Sequence, residues 1–151
     1  MGTNYEGSEE EVCSLNAFIK LMRATETITY SLNKHLSKKN LTTSQFGVLE
    51  ALLHLGPLNQ KTLGNKLLKS GGNMTLVIDN LQKEGLVERH QNPEDRRATL
   101  VNLTSKGEKL ISEVFPSHMA QIVKQFSVLS NNEKKTLDRL CKKLGKANAN
   151  I

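Results

Sequence analysis

The chain has 151 residues, enough for one domain with its own hydrophobic core, and combines 37% apolar residues with no tryptophan and three prolines. This composition favours a helical protein over a β-sandwich. The formal net charge of +6 points to a polyanionic partner, although basic proteins without such a partner are common.

The chain shows no signal for a membrane, a secretion route or a metal. No stretch approaches eighteen consecutive apolar residues, and the N-terminal MGTNYEGSEEE is acidic where a signal peptide is basic and then apolar. The two cysteines, Cys13 and Cys141, lack the spacing of a zinc site or a disulfide framework. We therefore expect a cytoplasmic protein that binds no metal and no membrane.

The first half of the chain predicts two helices. Apolar residues recur at intervals of three and four from Leu15 to Leu36, which is the pattern of one face of a long helix. Thr42 with Gln45 three residues later is a capping box that predicts the start of a second helix. This helix should end at Gly56, because Pro57 cannot continue its hydrogen bonds.

A pair of shorter helices should follow, joined by the turn Ser70-Gly71-Gly72. Asn59 can cap the first of them. The second extends from about Ser70 to Lys83, and its apolar face is formed by Met74, Val77, Ile78 and Leu81. Two helices joined by a short glycine turn resemble a helix-turn-helix, but the pattern alone is weak evidence for DNA binding.

Two strands with period-two alternation come next, over residues 86–90 and 98–103, and the charged turn of residues 91–97 joins them. A helix-turn-helix followed by a charged hairpin is the winged arrangement, which offers one element to a major groove and another to the adjacent minor groove. Thr104 can then cap a long amphipathic helix, and Ser130 with Glu133 can cap the last one.

An enzyme is the main rival class, and its sequence signals are missing. The chain has no G-x-x-x-x-G-K-[ST], G-x-G-x-x-G, G-x-S-x-G or H-E-x-x-H motif, and its four histidines are scattered. We therefore expect a protein that is not an enzyme.

Residues 41–110 resemble the core of the MarR family of bacterial transcription regulators. The resemblance rests on the glycine-ended helix DNLQKEGL, the D-x-R of Asp95 to Arg97 in the turn, and the L-T-x-x-G of Leu103 to Gly107. It implies a mainly α fold, with a winged helix-turn-helix core and a two-stranded β wing over residues 41–103. Residues 12–40 and 104–147 would form the helical dimerisation region, and the homodimer would repress transcription from a pseudo-palindromic operator in double-stranded DNA.

The resemblance also suggests where DNA would be contacted. The helix from Ser70 to Lys83 would read the major groove. The candidate residues near its positive N-terminal end are Lys69, Ser70, Asn73 and Thr75. Arg96 and Arg97 would contact DNA from the wing. We expect Asp95 and Arg97 to lie on one side of an extended chain and to pair, so that Asp95 directs Arg97 into a minor groove.

No cofactor is expected, but the resemblance is greatest to regulators that respond to phenolic or quinone compounds. The effector pocket would be lined by Phe18, Met22 and His54, where the dimer helices meet the winged core. His54 has an alternative role as a partly buried histidine bonded to backbone near Gly56. Cys13 is a candidate oxidant sensor, since it lies near the start of the first helix.

A winged-helix module that binds only other proteins remains the alternative to a DNA-binding regulator. The two differ in charge, because a DNA-binding module keeps lysine and arginine on the reading face and the wing tip. Lys69, Arg96 and Arg97 have those positions in the sequence.

Overall fold

The computed structural model describes residues 2–67 and 71–149, which divide into two compact units between His118 and Met119. The elements within this described part are α1 Glu9–Ser37, α2 Thr43–Leu55, β1 Leu58–Asn59, α3 Gln60–Lys66, α4 Gly71–Lys83, β2 Val87–Gln91, β3 Thr99–Leu103, α5 Ser105–Phe126 and α6 Asn131–Asn148. The predicted mainly α fold with a winged helix-turn-helix is confirmed. None of the described helices is long and apolar enough to cross a membrane.

The predicted helix caps are formed. Thr42 and Gln45 make the reciprocal hydrogen bonds of a capping box at α2, and Ser130 and Glu133 do the same at α6. The Asn59 side chain accepts a hydrogen bond from the Thr62 N–H at α3, at 2.8 Å. Each of these contacts pairs a backbone N–H that lacks a partner within its helix, so the helix starts follow from local sequence.

Helix α1 begins six residues before the predicted start at Leu15. Its first residue is Glu9, because Ser8 and Glu11 form another capping box: the Ser8 N–H donates to the Glu11 carboxylate, and the Glu11 N–H donates to the Ser8 hydroxyl. The Ser8 hydroxyl also donates to the Glu11 carboxylate at 3.0 Å, and the two hydrogen bonds that this carboxylate accepts favour its ionised form and lower the pKa of Glu11. The apolar pattern alone missed this polar first turn.

The sheet has three strands where two were predicted, in the order β1-β3-β2 with antiparallel pairs. Strand β1 consists only of Leu58 and Asn59, which pair with Val101 and Leu100 of β3. Two residues are too few for alternation to identify a strand, so only the partner strand reveals it. Strands β2 and β3 each begin one residue later than predicted, and Val87 pairs with Leu103.

The core of the first unit lies between the helices of the helix-turn-helix, the sheet and the first half of α5. Its fully buried side chains are Leu36, Val48, Leu49, Leu63, Met74, Ile78, Leu81, Val87, Val101, Ile111 and Val114. Burying each of them fully stabilises the fold by about 1.5 to 3 kcal/mol. The inward face predicted for α4 is confirmed, with Val77 partly buried at its edge.

One junction joins the end of α4, the start of the wing and the start of α5, and we call it the wing-base junction. Thr104 donates its hydroxyl to the Gly85 carbonyl at 2.6 Å and its N–H to the Leu86 carbonyl at 3.1 Å. The same hydroxyl accepts from the Gly107 N–H at 3.0 Å, which caps α5. A Cβ atom on Gly107 would lie 1.9 Å from the Leu86 carbonyl oxygen. The junction therefore explains the L-T-x-x-G motif.

We predict that Gly107→Ala destabilises the protein by about 3 kcal/mol, because the added methyl overlaps a backbone oxygen that cannot move without displacing the wing. Chemical denaturation at fixed protein concentration measures the change. The matched control is Gly145→Ala in α6, where a Cβ atom meets no other atom within 4 Å. It should leave stability unchanged or raise it by up to about 1 kcal/mol. Equal effects of the two substitutions would contradict the prediction.

Candidate nucleic-acid interface

Helix α4 separates a buried face from a polar, exposed one. Met74, Ile78 and Leu81 are fully buried, which turns the exposed residues Asn73, Thr75, Leu76, Asn80 and Lys83 away from the core. The Gln60 amide of α3 donates a hydrogen bond to the Thr75 hydroxyl. This contact ties the first helix of the helix-turn-helix to the second. Two of the predicted contact residues, Lys69 and Ser70, lie outside the described residues.

Strand β2 is tied to α4 by Arg89. Its guanidinium forms an ion pair with Asp79 at 2.7 Å and donates a hydrogen bond to the Gln82 side chain. Asp79 and Gln82 are three residues apart, so both lie on one side of α4. The sequence analysis did not predict this contact. Arg89 follows buried Val87 by two residues, and period-two alternation could have placed it on the face toward the helix.

The tip of the wing is a turn, which corrects the expectation of an extended chain. The Ala98 N–H donates to the Asp95 carbonyl at 3.0 Å, so Arg96 and Arg97 occupy the two central positions. The Asp95 carboxylate accepts from the backbone N–H of Arg97, also at 3.0 Å. No ion pair joins the Asp95 and Arg97 side chains in the described part of the chain. Asp95 therefore holds the backbone of the turn, not the guanidinium.

The turn is further fixed from its sides. Gln91 donates its side-chain amide to the Arg96 carbonyl at 2.8 Å, and the Asn92 side chain accepts from the Glu94 N–H at 3.0 Å. Both arginine side chains are exposed. The backbone of the turn is hydrogen-bonded while two positive charges project into solvent, which is an arrangement suited to a polyanion.

Within the part of the chain that the structure describes, the surface grooves do not bring the predicted effector residues Phe18, Met22 and His54 together. Met22 lines a surface groove of about 530 Å³ formed by residues of α1 alone, and neither Phe18 nor His54 lines it. Phe18 is exposed on the same helix. His54 lies in α2, where its ring contacts the Glu50 carbonyl at 2.9 Å and packs against Phe115 at a centroid distance of 4.9 Å.

A histidine pair links α1 to α5. The Nδ1 atoms of His35 and His118 are 3.3 Å apart, and His118 is buried with 5% of its surface exposed. The Phe46 ring of α2 packs on His118 at a centroid distance of 4.3 Å. Burial lowers the pKa of His118, and the charge on His35 lowers that pKa further. The neutral form of His118 is therefore favoured in the folded protein.

Two further site predictions concern cysteine and metal. Cys13 is exposed in the second turn of α1, and Cys141 is exposed on α6. Within the described ranges, no cluster of three or more His, Cys, Asp or Glu side chains could hold a metal ion.

Comparisons with known proteins agree with this geometry. The family model described as MarR family matches residues 41–99. The HTH-type transcriptional regulator MhqR of Bacillus subtilis is 39% identical over 87% of this chain and 91% of its own length. A MarR variant from E. coli, solved in complex with operator DNA, is 27% identical over 92% of this chain and 99% of its own, with a TM-score of 0.77.

The structure of AbsC, a MarR family transcriptional regulator from Streptomyces coelicolor, shows the same fold. It has a TM-score of 0.87 and 21% identity, and it covers 98% of this chain and 100% of its own. The curated relatives are named as transcriptional regulators rather than enzymes.

The histidine pair predicts acid sensitivity. The ordinary pKa of histidine is 6.5, and a histidine whose pKa is lowered on folding contributes its full stability at pH values above 6.5. This contribution is lost as the pH falls through the folded-state pKa. Wild-type melting temperature should therefore fall between pH 7.5 and pH 5 more steeply than that of His118→Gln. His35→Gln should reduce the dependence only in part, since its charge is the smaller cause. Parallel curves for wild type and His118→Gln would contradict the prediction.

Proposed function

Since the chain belongs to the MarR family of winged helix-turn-helix transcription regulators, we propose that it binds a specific operator in double-stranded DNA as a homodimer and represses transcription. It would act in the cytoplasm. The observation that carries the proposal is the pairing of an exposed polar face on α4 with a hydrogen-bonded turn that presents Arg96 and Arg97. The complex of the related MarR variant with operator DNA supports it.

The dimensions of α4 suit the major groove of B-form DNA. A helix with its side chains is about 10 to 12 Å in diameter and the groove is about 12 Å wide, while the 13 residues of α4 span about 20 Å along it. Asn73 and Thr75 would face base edges and phosphates from its first two turns. Arg96 and Arg97 would approach the adjacent minor groove, where narrow A·T-rich segments concentrate negative potential. Lys69 and Ser70 remain predicted contacts.

Exposed apolar side chains support a homodimer. Phe18, Met22 and Tyr30 of α1 are at least half exposed, and in the second unit α6 exposes Leu137, Leu140 and Leu144 on one side. Large exposed apolar surfaces of this kind mark protein contacts. A homodimer would bury them and set two reading helices about 34 to 36 Å apart, which is one turn of DNA.

Regulation by a phenolic or quinone effector rests on the family resemblance. The ligand would release the operator only by binding one state of the dimer more tightly than the other. His54, whose ring packs against Phe115, is the candidate contact on α2, and Phe18 and Met22 are the candidates on α1. Cys13, exposed on α1, is the candidate for a response to oxidants.

We predict that the protein binds a pseudo-palindromic duplex from its own promoter, with log K falling linearly in log salt as counterions are released. Arg97→Ala should cost about 1 to 3 kcal/mol of operator binding and leave the dimer intact. Fluorescence anisotropy and sedimentation measure the two quantities. Arg139→Ala is the matched control, because it removes the same charge from an exposed position in α6, far from the wing in sequence.

Two outcomes would count against this function. Undetectable or salt-insensitive binding across genomic fragments would remove the DNA-binding proposal. Unchanged affinity of Arg97→Ala, or an equal loss for Arg139→Ala, would show that the wing turn makes no specific contact.

For the effector, we predict that a phenolic compound that weakens operator binding also raises the melting temperature of the free protein, by mass action on the folded state. His54→Ala should abolish most of this shift if His54 contacts the ligand. His90→Ala, which removes an exposed histidine from β2, is the control and should retain the shift. Equal shifts in wild type and His54→Ala would exclude His54 from the site.

A further inference from the structure

Leu76 is the one large apolar residue of the described α4 side chains that turns away from the core. Its surface is 61% exposed, while Met74, Ile78 and Leu81 are fully buried and Val77 is partly buried. It is the sixth of thirteen residues, near the middle of the helix. Asn73 precedes it by three residues and Asn80 follows it by four, so the three side chains share one exposed face.

A single exposed leucine is common on protein surfaces and needs no function by itself. A function for Leu76 is indicated by its position on α4. On a recognition helix that lies in a major groove, the N-terminal part of the exposed face contacts base edges, and Leu76 lies in the second turn of α4. The two flanking amides belong to the side-chain type that pairs with N6 and N7 of adenine.

Among the groups that base pairs present in the major groove, the thymine 5-methyl is the apolar one by which a protein can distinguish thymine from the other bases. We propose that Leu76 contacts the 5-methyl group of a thymine in each operator half-site and so selects thymine over cytosine at that position. This inference rests on the proposed function, because it needs α4 in the major groove. It adds the chemical identity of one base pair that the helix reads.

The contact is tested by removing only the methyl group. A duplex is first selected by the wild-type protein from a random pool, and each thymine of one half-site is then replaced in turn by deoxyuridine. Wild-type affinity should fall about 3- to 10-fold at one position, as expected for the loss of one buried methyl. Leu76→Ala should bind the thymine and uracil duplexes equally at that position, so the two changes form a double-mutant cycle.

Two controls separate this effect from a general loss of structure. Leu76→Ala should keep the wild-type melting temperature, because the residue is exposed and alanine favours a helix. Leu55→Ala removes a leucine of similar exposure, 55%, from the end of α2. This variant should keep the wild-type preference for thymine over uracil.

Three results of the binding experiment would contradict the proposal, and each would do so at a different step. If the wild type binds every uracil duplex as tightly as the thymine duplex, the methyl contact does not exist, although operator binding stands. If Leu76→Ala still discriminates at the sensitive position, another residue reads the methyl and the assignment to Leu76 is wrong. If the wild type selects no duplex at all, the proposed function fails and this inference fails with it.

Discussion

The close approach of Gly107 to the Leu86 carbonyl is the constraint on which the functional face depends. A side chain at residue 107 would occupy the space of that oxygen, so α5 can start at this place only with glycine in its first turn. Thr104 adds hydrogen bonds to Gly85 and Leu86 from the same side. The end of α4, the start of β2 and the start of α5 are thereby held in direct contact, although α5 begins more than twenty residues after α4 ends.

A second contact fixes the position of the wing relative to α4. Arg89 bonds Asp79 and Gln82 of α4, but its partners are partly exposed, and ion pairs in such settings contribute little to stability. Its main consequence is positional. Arg89 holds strand β2 against α4, and Asp95 holds the backbone of the turn that carries Arg96 and Arg97. If α4 and the turn contact neighbouring grooves as proposed, these contacts would fix the distance between the two.

Local sequence determined much of the fold, and contacts distant in sequence determined the rest. The caps at Thr42, Asn59 and Ser130 and the glycine helix ends were predictable because donor and acceptor lie within a few residues. Strand β1 was not, since its identity depends on a partner more than forty residues away. The pairing of Arg89 with Asp79 likewise needs the wing folded back on α4.

The wing turn shows a different limit. Asn92, Pro93 and Asp95 are turn-forming residues, yet the D-x-R spacing by itself predicts that Asp95 and Arg97 pair along an extended chain. Aspartate bonds its own backbone two residues on more readily than a mobile guanidinium, because the chain already holds that N–H nearby. The role of an exposed apolar residue likewise depends on which side chains surround it. On α1 and α6 they form rows of large side chains suited to another protein chain, whereas Leu76 lies alone between amides, which suits the edge of a base pair.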